Sequence, residues 1–285
     1  MSTSLVPGLS FGPNLSSLPP AGQLLLITDH LASPADFILH RALALQLKNT
    51  ASHPQHVILL SIASDFTHWS AIAAKSNINL NQHLKARSLT YIDGLSLSAY
   101  RSTPLIDSEK DGYVRCSPLF STGSQEPSLR GLYDIIAQSL LHVSDESLTS
   151  KLLILDDITI LELIGVPSIT VTRFIRALRA LCRRHSTGLI VRAHVSPSSD
   201  ADSRMPFDSD ILRTLIDVCH AHVEVRPLAS GRSGAVSGEI AVHTGDDMMN
   251  EGRDEVGMGR KRSVHYRLND GGAVFFQKGM GTSVL

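Results

Sequence analysis

Short apolar runs alternate with stretches of helical spacing from Leu24 to Cys219. Leu24–Thr28, Val57–Ser61, Leu89–Asp93, Leu152–Leu155 and Gly188–Ala193 are runs rich in Leu, Ile and Val. Such continuous runs are the pattern of strands buried on both faces. Between them apolar residues return every three or four positions, which predicts helices over Pro34–Lys48, Phe66–Ser76 and Ser128–Val143. Further helices are predicted up to Leu163, over Pro167–His185 and over Phe207–Cys219. Ser33, Pro34 and Asp36 read as N-cap, first helical residue and capping-box acid of the first helix. Strands and helices in this alternation predict a parallel sheet joined by helical crossovers.

After Cys219 the period changes to two. Ala221–Val225, Gly238–Val242, Val264–Leu268 and Ala273–Phe276 predict a meander of strands, with Val264, Tyr266 and Leu268 on one face and His265 and Arg267 on the other. The expected fold class is α/β: a core of mostly parallel strands flanked by helices, then an antiparallel extension. That order is found in RecA-like folds of the P-loop NTPase type. Three segments stand outside the pattern. Residues 1–22 hold four Pro, three Gly and five Ser and read as a disordered lead. Residues 100–127, rich in Ser, Pro, Asp and Glu, and 243–262, with five acids, four bases and four Gly, read as flexible excursions. Residues 23–285 otherwise form a single expected domain, with no internal repeat.

Composition narrows the picture modestly. A chain of 285 residues can bury a full core, and 26 basic against 27 acidic residues give a net charge of −1. A polyanionic partner is therefore not demanded by bulk charge, although a local basic stripe can still serve one. Cys116, Cys182 and Cys219 are far apart and form no CxxC pair, which argues against a disulfide framework or zinc site and fits a reducing compartment. No apolar run approaches the roughly 20 residues of a membrane span. Met1–Gly22 lacks the pattern of a signal peptide. The expectation is a soluble protein of the cytoplasm or nucleus.

The strand Leu152–Leu155 ends in Asp156 and Asp157, where P-loop ATPases place the carboxylate that holds Mg²⁺. Their phosphate cradle, G-x-x-x-x-G-K-[ST], has no match in the chain. After the first strand the loop runs Thr28–Asp36 as TDHLASPAD, with no Gly and no Lys, and its two acids would repel a triphosphate. The degenerate Walker B-like pair can be read as a Mg²⁺- or water-orienting pair, or as polarity left at a strand end that caps the next helix. Without the cradle the second reading is favoured, and no cofactor, metal or catalytic residue is expected.

Basic residues supply the other candidates. On the helix from Pro167, Arg173, Arg176, Arg179, Arg183 and Arg184 project within roughly 140° of one another, opposite Val171, Phe174, Ile175, Leu178, Leu181 and Cys182. A solvated amphipathic face is the plainer expectation; five arginines with no acid between them keep an RNA- or partner-contacting stripe in view. Arg192 and Arg204 flank the loop Val195–Met205, which also carries Asp200 and Asp202, and Arg260, Lys261 and Arg262 form a short basic run. His220 and His222 share a strand face without a third ligand and read as surface polarity. Trp69 reads as core or interface. Gly8–Gly12 matches G-x-S-x-G but lies before the first strand, where no nucleophile elbow forms.

Several segments together resemble a known family. They are Leu24–His40 (LLLITDHLASPADFILH), Ser64–Leu80 (SDFTHWSAIAAKSNINL), Tyr91–Gly94 (YIDG), Leu153–Asp157 (LILDD) and the terminus Phe275–Leu285 (FFQKGMGTSVL). The first helix segment and the FFxKGM pattern are the most specific. These segments resemble the sixth subunit of the Elongator complex, the eukaryotic assembly that modifies wobble uridines of tRNA. The resemblance implies a RecA-like fold without nucleotide motifs and a non-catalytic, accessory role. It also implies a heterohexameric ring with the fourth and fifth subunits. That ring would bind tRNA, dock on the catalytic Elongator subassembly and support formation of 5-carboxymethyluridine-derived bases. The residues alone leave two alternatives open: a ring ATPase with an unconventional shared nucleotide site, and a RecA-type DNA-binding relative.

Overall fold

The computed structural model describes residues 4–11, 16–48, 55–94, 112–116, 127–142, 150–195, 210–228, 235–244, 263–269 and 272–277. In chain order the elements are β1 (Leu24–Asp29), α1 (Asp36–Lys48), β2 (Gln55–Ser61), α2 (Phe66–Lys75), α3 (Leu80–Lys85), β3 (Leu89–Asp93) and β4 (Tyr113–Arg115). They continue with α4 (Arg130–His142), β5 (Ser150–Asp156), α5 (Ile160–Leu163), α6 (Ser168–Arg184), β6 (Thr187–His194) and α7 (Asp210–Val218). The last four are β7 (Ala221–Arg226), β8 (Gly238–Thr244), β9 (Val264–Asn269) and β10 (Gly272–Gln277). All strands join one sheet in the order β10-β9-β8-β7-β1-β6-β5-β2-β3-β4. From β7 to β4 every pairing is parallel, and β7, β8, β9 and β10 pair antiparallel. This is the RecA-like arrangement the hydrophobic pattern predicts.

The continuous apolar runs are explained by two cores, one on each face of the sheet. Alternate residues of a strand point to opposite faces. Leu24, Leu26, Leu153, Leu155, Leu189 and Val191 pack with α4, α6 and α7, through Ile136, Leu140, Phe174, Leu178 and Leu215. Leu25, Ile27, Leu152, Ile154 and Ile190 face α1, α2 and α3, meeting Ile38, Leu39, Leu43 and Trp69. A strand with helices on both sides has no polar face to alternate, hence the unbroken Leu/Ile/Val runs.

Composition misleads at several places. The described part of the expected disordered lead packs: Leu5 and Val6 are fully buried and Leu9 and Phe11 nearly so, all in the core beneath α1; residues 1–3 and 12–15 lie outside the described residues. The lead also presses on the sheet. A Cβ on Gly188 would come 2.1 Å from the carbonyl oxygen of Pro19, so only glycine fits there. Within the expected excursion at 100–127, Tyr113–Arg115 forms the parallel edge strand β4, where Tyr113 stacks on Tyr91 with centroids 5.3 Å apart and Cys116 is buried. Residues 100–111 and 117–126 of that excursion lie outside the described residues, as do 245–262; His243 and Thr244 end β8. Helix α3, capped by Asn79 accepting from the Gln82 amide, was not anticipated. Strand β7, read as the start of the meander, pairs parallel with β1 and is the hinge between the parallel and antiparallel parts.

Candidate functional site

Ligands of open α/β folds bind outside the carboxyl ends of the parallel strands. Here β1, β6 and β5 lie side by side and end in Asp29, in Arg192 with His194, and in Asp156. The loop from His30 leads directly into α1. Asp29 Oδ2 accepts from the Ala35 amide at 2.6 Å. The helix start is therefore capped by a carboxylate from the preceding strand. The expected cap does not form: the Ala35 amide goes to Asp29 and not to Ser33, and Asp36 accepts from Arg192. A phosphate cradle offers such amides to an incoming anion. This one already holds an anion of its own chain.

Arg192 completes the closure. Its Nε donates to Asp29 Oδ2 at 2.9 Å, and its Nη1 donates to Asp36 Oδ1 at 2.6 Å and Asp156 Oδ1 at 3.0 Å. The side chain is 8% exposed, and those of Asp29 and Asp156 are 0% and 1%. Burial works against the charge on the guanidinium. The carboxylates of Asp29, Asp36, Asp156 and Asp157 more than offset it and hold the group above its ordinary pKa. Burial also pushes Asp156 up to about 6, opposed by Arg192 and assisted by Asp36 and Asp157. His194 Nδ1 lies 3.0 Å from Asp29 Oδ1. On the far side, Ser61 Oγ lies 3.2 Å from Asp156 Oδ2 and accepts from Trp69 Nε1 at 2.7 Å. The chain of contacts runs Trp69, Ser61, Asp156, Arg192, Asp29, His194.

This set does not fit a Mg²⁺–triphosphate. The metal-binding position, Asp156, is held by an internal cation, and the loop amide by an internal carboxylate. No lysine or glycine is present to meet phosphate oxygens. Asp157 has a different task. It sits at φ +50, and its Oδ1 accepts from the Thr159 amide at 3.3 Å and from the Thr159 hydroxyl, fixing the turn into α5. Asp157 thus holds the turn before α5 without capping the helix, whose N-cap residue is Thr159, and charge pairing is the role of Asp156.

Beside this cluster the sheet buries a second polar group that the sequence reading put on the surface. His222 is buried, with Nε2 2.7 Å from Thr28 Oγ1 and its ring stacked on His243 at 5.3 Å between centroids. Burial drives its pKa down to about 3, against the pull of Glu224. Burial would raise Glu224, but hydrogen bonds from His243 and Arg226 prevail and hold it at about 2. His220 accepts from the Leu24 amide at 3.0 Å through Nδ1, so it too serves the sheet.

The basic candidates separate. Arg192 leaves the list of surface contacts: at 7% exposure it is an internal anchor, because a guanidinium inside a sheet must sit among carboxylates. Part of the signal stands in the sequence, since an arginine within Leu189–Val195, a run of buried strand character, needs acids nearby; that these are Asp29 and Asp156 follows only from the place of β6 between β1 and β5. Arg173, Arg176 and Arg183 are exposed along α6, as is Arg184, while Arg179 is half-buried near Cys219 and His220. Arg204, Arg260, Lys261 and Arg262 lie outside the described residues. Among the described residues no group of three His, Cys, Asp or Glu is arranged to hold a metal ion, and no helix is long and apolar enough to cross a membrane. Trp69 is 2% exposed, which removes it from the surface.

Comparison with known proteins adds the family. A family model described as Elongation complex protein 6 matches residues 12–270. Elongator complex protein 6 of Danio rerio is 25% identical over 264 residues, 93% of each chain. The human protein of that name is 23% identical over 269 residues, with 93% of each chain covered. Among solved structures, an uncharacterized protein from Pyrococcus horikoshii in complex with an unknown peptide superposes with a TM-score of 0.57 at 11% identity, covering 91% of this chain and 93% of that one. A KaiC-like protein from the same organism gives 0.55 at 9% identity, covering 90% and 91%. These two speak to the fold alone.

Proposed function

The chain belongs to the Elongation complex protein 6 family, and on that premise we propose that it is a non-catalytic, RecA-like subunit of the Elongator complex. It supplies a wedge of a heterohexameric ring with the fourth and fifth subunits. The ring binds tRNA, docks on the catalytic subassembly and supports wobble-uridine modification, in the cytoplasm and also the nucleus. The observation that carries the non-catalytic part is the place of Arg192. Its guanidinium holds Asp29, Asp36 and Asp156 where a nucleotide's phosphates and metal would have to go. A fold of nucleotide-binding type with that place filled from within keeps its shape as a building block and loses its chemistry.

Co-purification from cells followed by native mass measurement tests the ring. A two-to-two-to-two assembly with two related chains, binding tRNA in preference to single-stranded DNA, is the expected result. A lone monomer, or a preference for DNA, would contradict it. A ring ATPase that shares a nucleotide site is the competing reading. Asp156→Ala in the assembled ring separates the two, since unchanged hydrolysis removes Asp156 from any such site.

A further inference from the structure

The outward face of α6 combines two features that a helix exposed only to water has no use for. Ile169, Arg173, Arg176, Ala180, Arg183 and Arg184 lie within a sector of roughly 100° on the helix. The 17-residue helix contains no acid and no lysine. Among the described residues none of its arginines forms an ion pair, although acids stand on the neighbouring elements. Glu162 of α5 accepts from Ser168, Asp134 of α4 pairs with Arg130, and Asp210 of α7 pairs with Arg213. Like charges at i,i+3 and i,i+4 spacing (Arg173 with Arg176, Arg179 with Arg183) repel along the helix, so the isolated chain gains nothing from them. Ile169, within this sector, is 57% exposed, and Leu163, on the α5 helix that packs on α6, is 82% exposed.

We propose that this face docks a protein partner whose surface presents a group of carboxylates beside an apolar contact. Planar guanidinium forks match carboxylates in pairs, and Arg173 to Arg183 span about 15 Å at 1.5 Å rise per residue, room for several such pairs. An exposed Ile among arginines, on a helix without lysine or acids, is the composition of protein interfaces. A nucleic-acid backbone is served by lysine as well as by arginine and draws no benefit from Ile169 or Leu163. The unpaired charge thus calls for an anion, and the apolar flank selects a protein to carry it. This inference stands on α6 alone and does not depend on the ring.

The test uses the full chain in its native assembly, with the photoreactive substitution Ala180→benzoylphenylalanine in the middle of the stripe. Crosslinks are expected to converge on one acidic segment of one protein. Arg173→Glu/Arg176→Glu/Arg183→Glu is expected to weaken that association at least tenfold, and reversing the crosslinked carboxylates to lysine to restore it. The variant Arg173→Gln/Arg176→Gln/Arg183→Gln guards against a folding defect. Its isolated chain should unfold at no lower denaturant concentration than wild type, while the association still falls at least tenfold. Crosslinks to RNA, crosslinks scattered over many proteins, no rescue by charge exchange, or a glutamine variant that is itself destabilised would each overturn the proposal.

Discussion

Arg192 reaches from β6 to Asp29 at the end of β1, Nε to Oδ2, at 2.9 Å, and the same oxygen accepts from the Ala35 amide at 2.6 Å. One carboxylate thereby anchors a guanidinium and the start of α1 at once. The amide that a phosphate-binding loop would offer to a ligand and the cation that would balance it are both satisfied within the chain. The loop after β1 keeps its position in the fold and gives up its vacancy.

Removing the guanidinium should expose how much the fold depends on it. Arg192→Met leaves three carboxylates facing one another, two of them buried, and should destabilise the chain by about 3–5 kcal/mol. Urea denaturation checks this, as a drop in midpoint at unchanged slope. Adding Asp29→Asn and Asp156→Asn should recover part of the loss, because the uncompensated charge is gone. A loss below about 1 kcal/mol in the single variant would show that the cluster is not structural.

Acid should act on this protein in two opposed ways. Burial holds His40 and His222 down to about 3 and His56 to about 4, so the folded state resists protons that the unfolded state binds below 6.5. Each such histidine removes about 1.4 kcal/mol of stability per pH unit as the pH falls from 6.5 towards its folded value. Asp156 runs the other way. With its pKa raised from 3.8 to about 6, the folded state keeps a proton that the unfolded state has lost. Its contribution therefore improves as the pH falls from about 6 to 4. Three histidines outweigh one aspartate, so stability should fall steeply below pH 6. Asp156→Asn should steepen that fall and His222→Gln should flatten it, both read from denaturant midpoints at stepped pH.

Deleting residues 1–11 should destabilise the isolated chain, since Leu5, Val6, Leu9 and Phe11 sit in the core under α1. Phe11→Ala alone should cost about 3–5 kcal/mol and Leu5→Ala about 2–5 kcal/mol if neighbours do not close the gaps. Thermal or urea unfolding measures either. A truncated chain with wild-type stability would mean that the lead does not pack.

Most of the parallel sheet was legible because a strand covered on both faces leaves an unbroken apolar signature, as in Leu152–Leu155 and Leu24–Thr28. What escaped shares one physical cause: residues whose local composition disagrees with their tertiary place. The lead looks disordered by its Pro, Gly and Ser, yet four apolar residues among them find the core. Strand β4 has three residues, too few to carry a period. His222 and Arg192 are polar within strands, and their partners, Thr28, Asp29 and Asp156, come from 36 to 194 positions away in sequence. The absence of the phosphate loop was plain in the letters. That the place would be filled by an arginine was not, because it requires knowing that β6 lies between β1 and β5.

Isothermal titration of the isolated full chain with ATP and Mg²⁺ tests the central claim most directly. With Asp29 on the loop amide and Arg192 on Asp156, no saturable heat is expected at nucleotide concentrations up to the millimolar range. Low-micromolar binding that depends on Mg²⁺ and is lost in Asp156→Ala would contradict it.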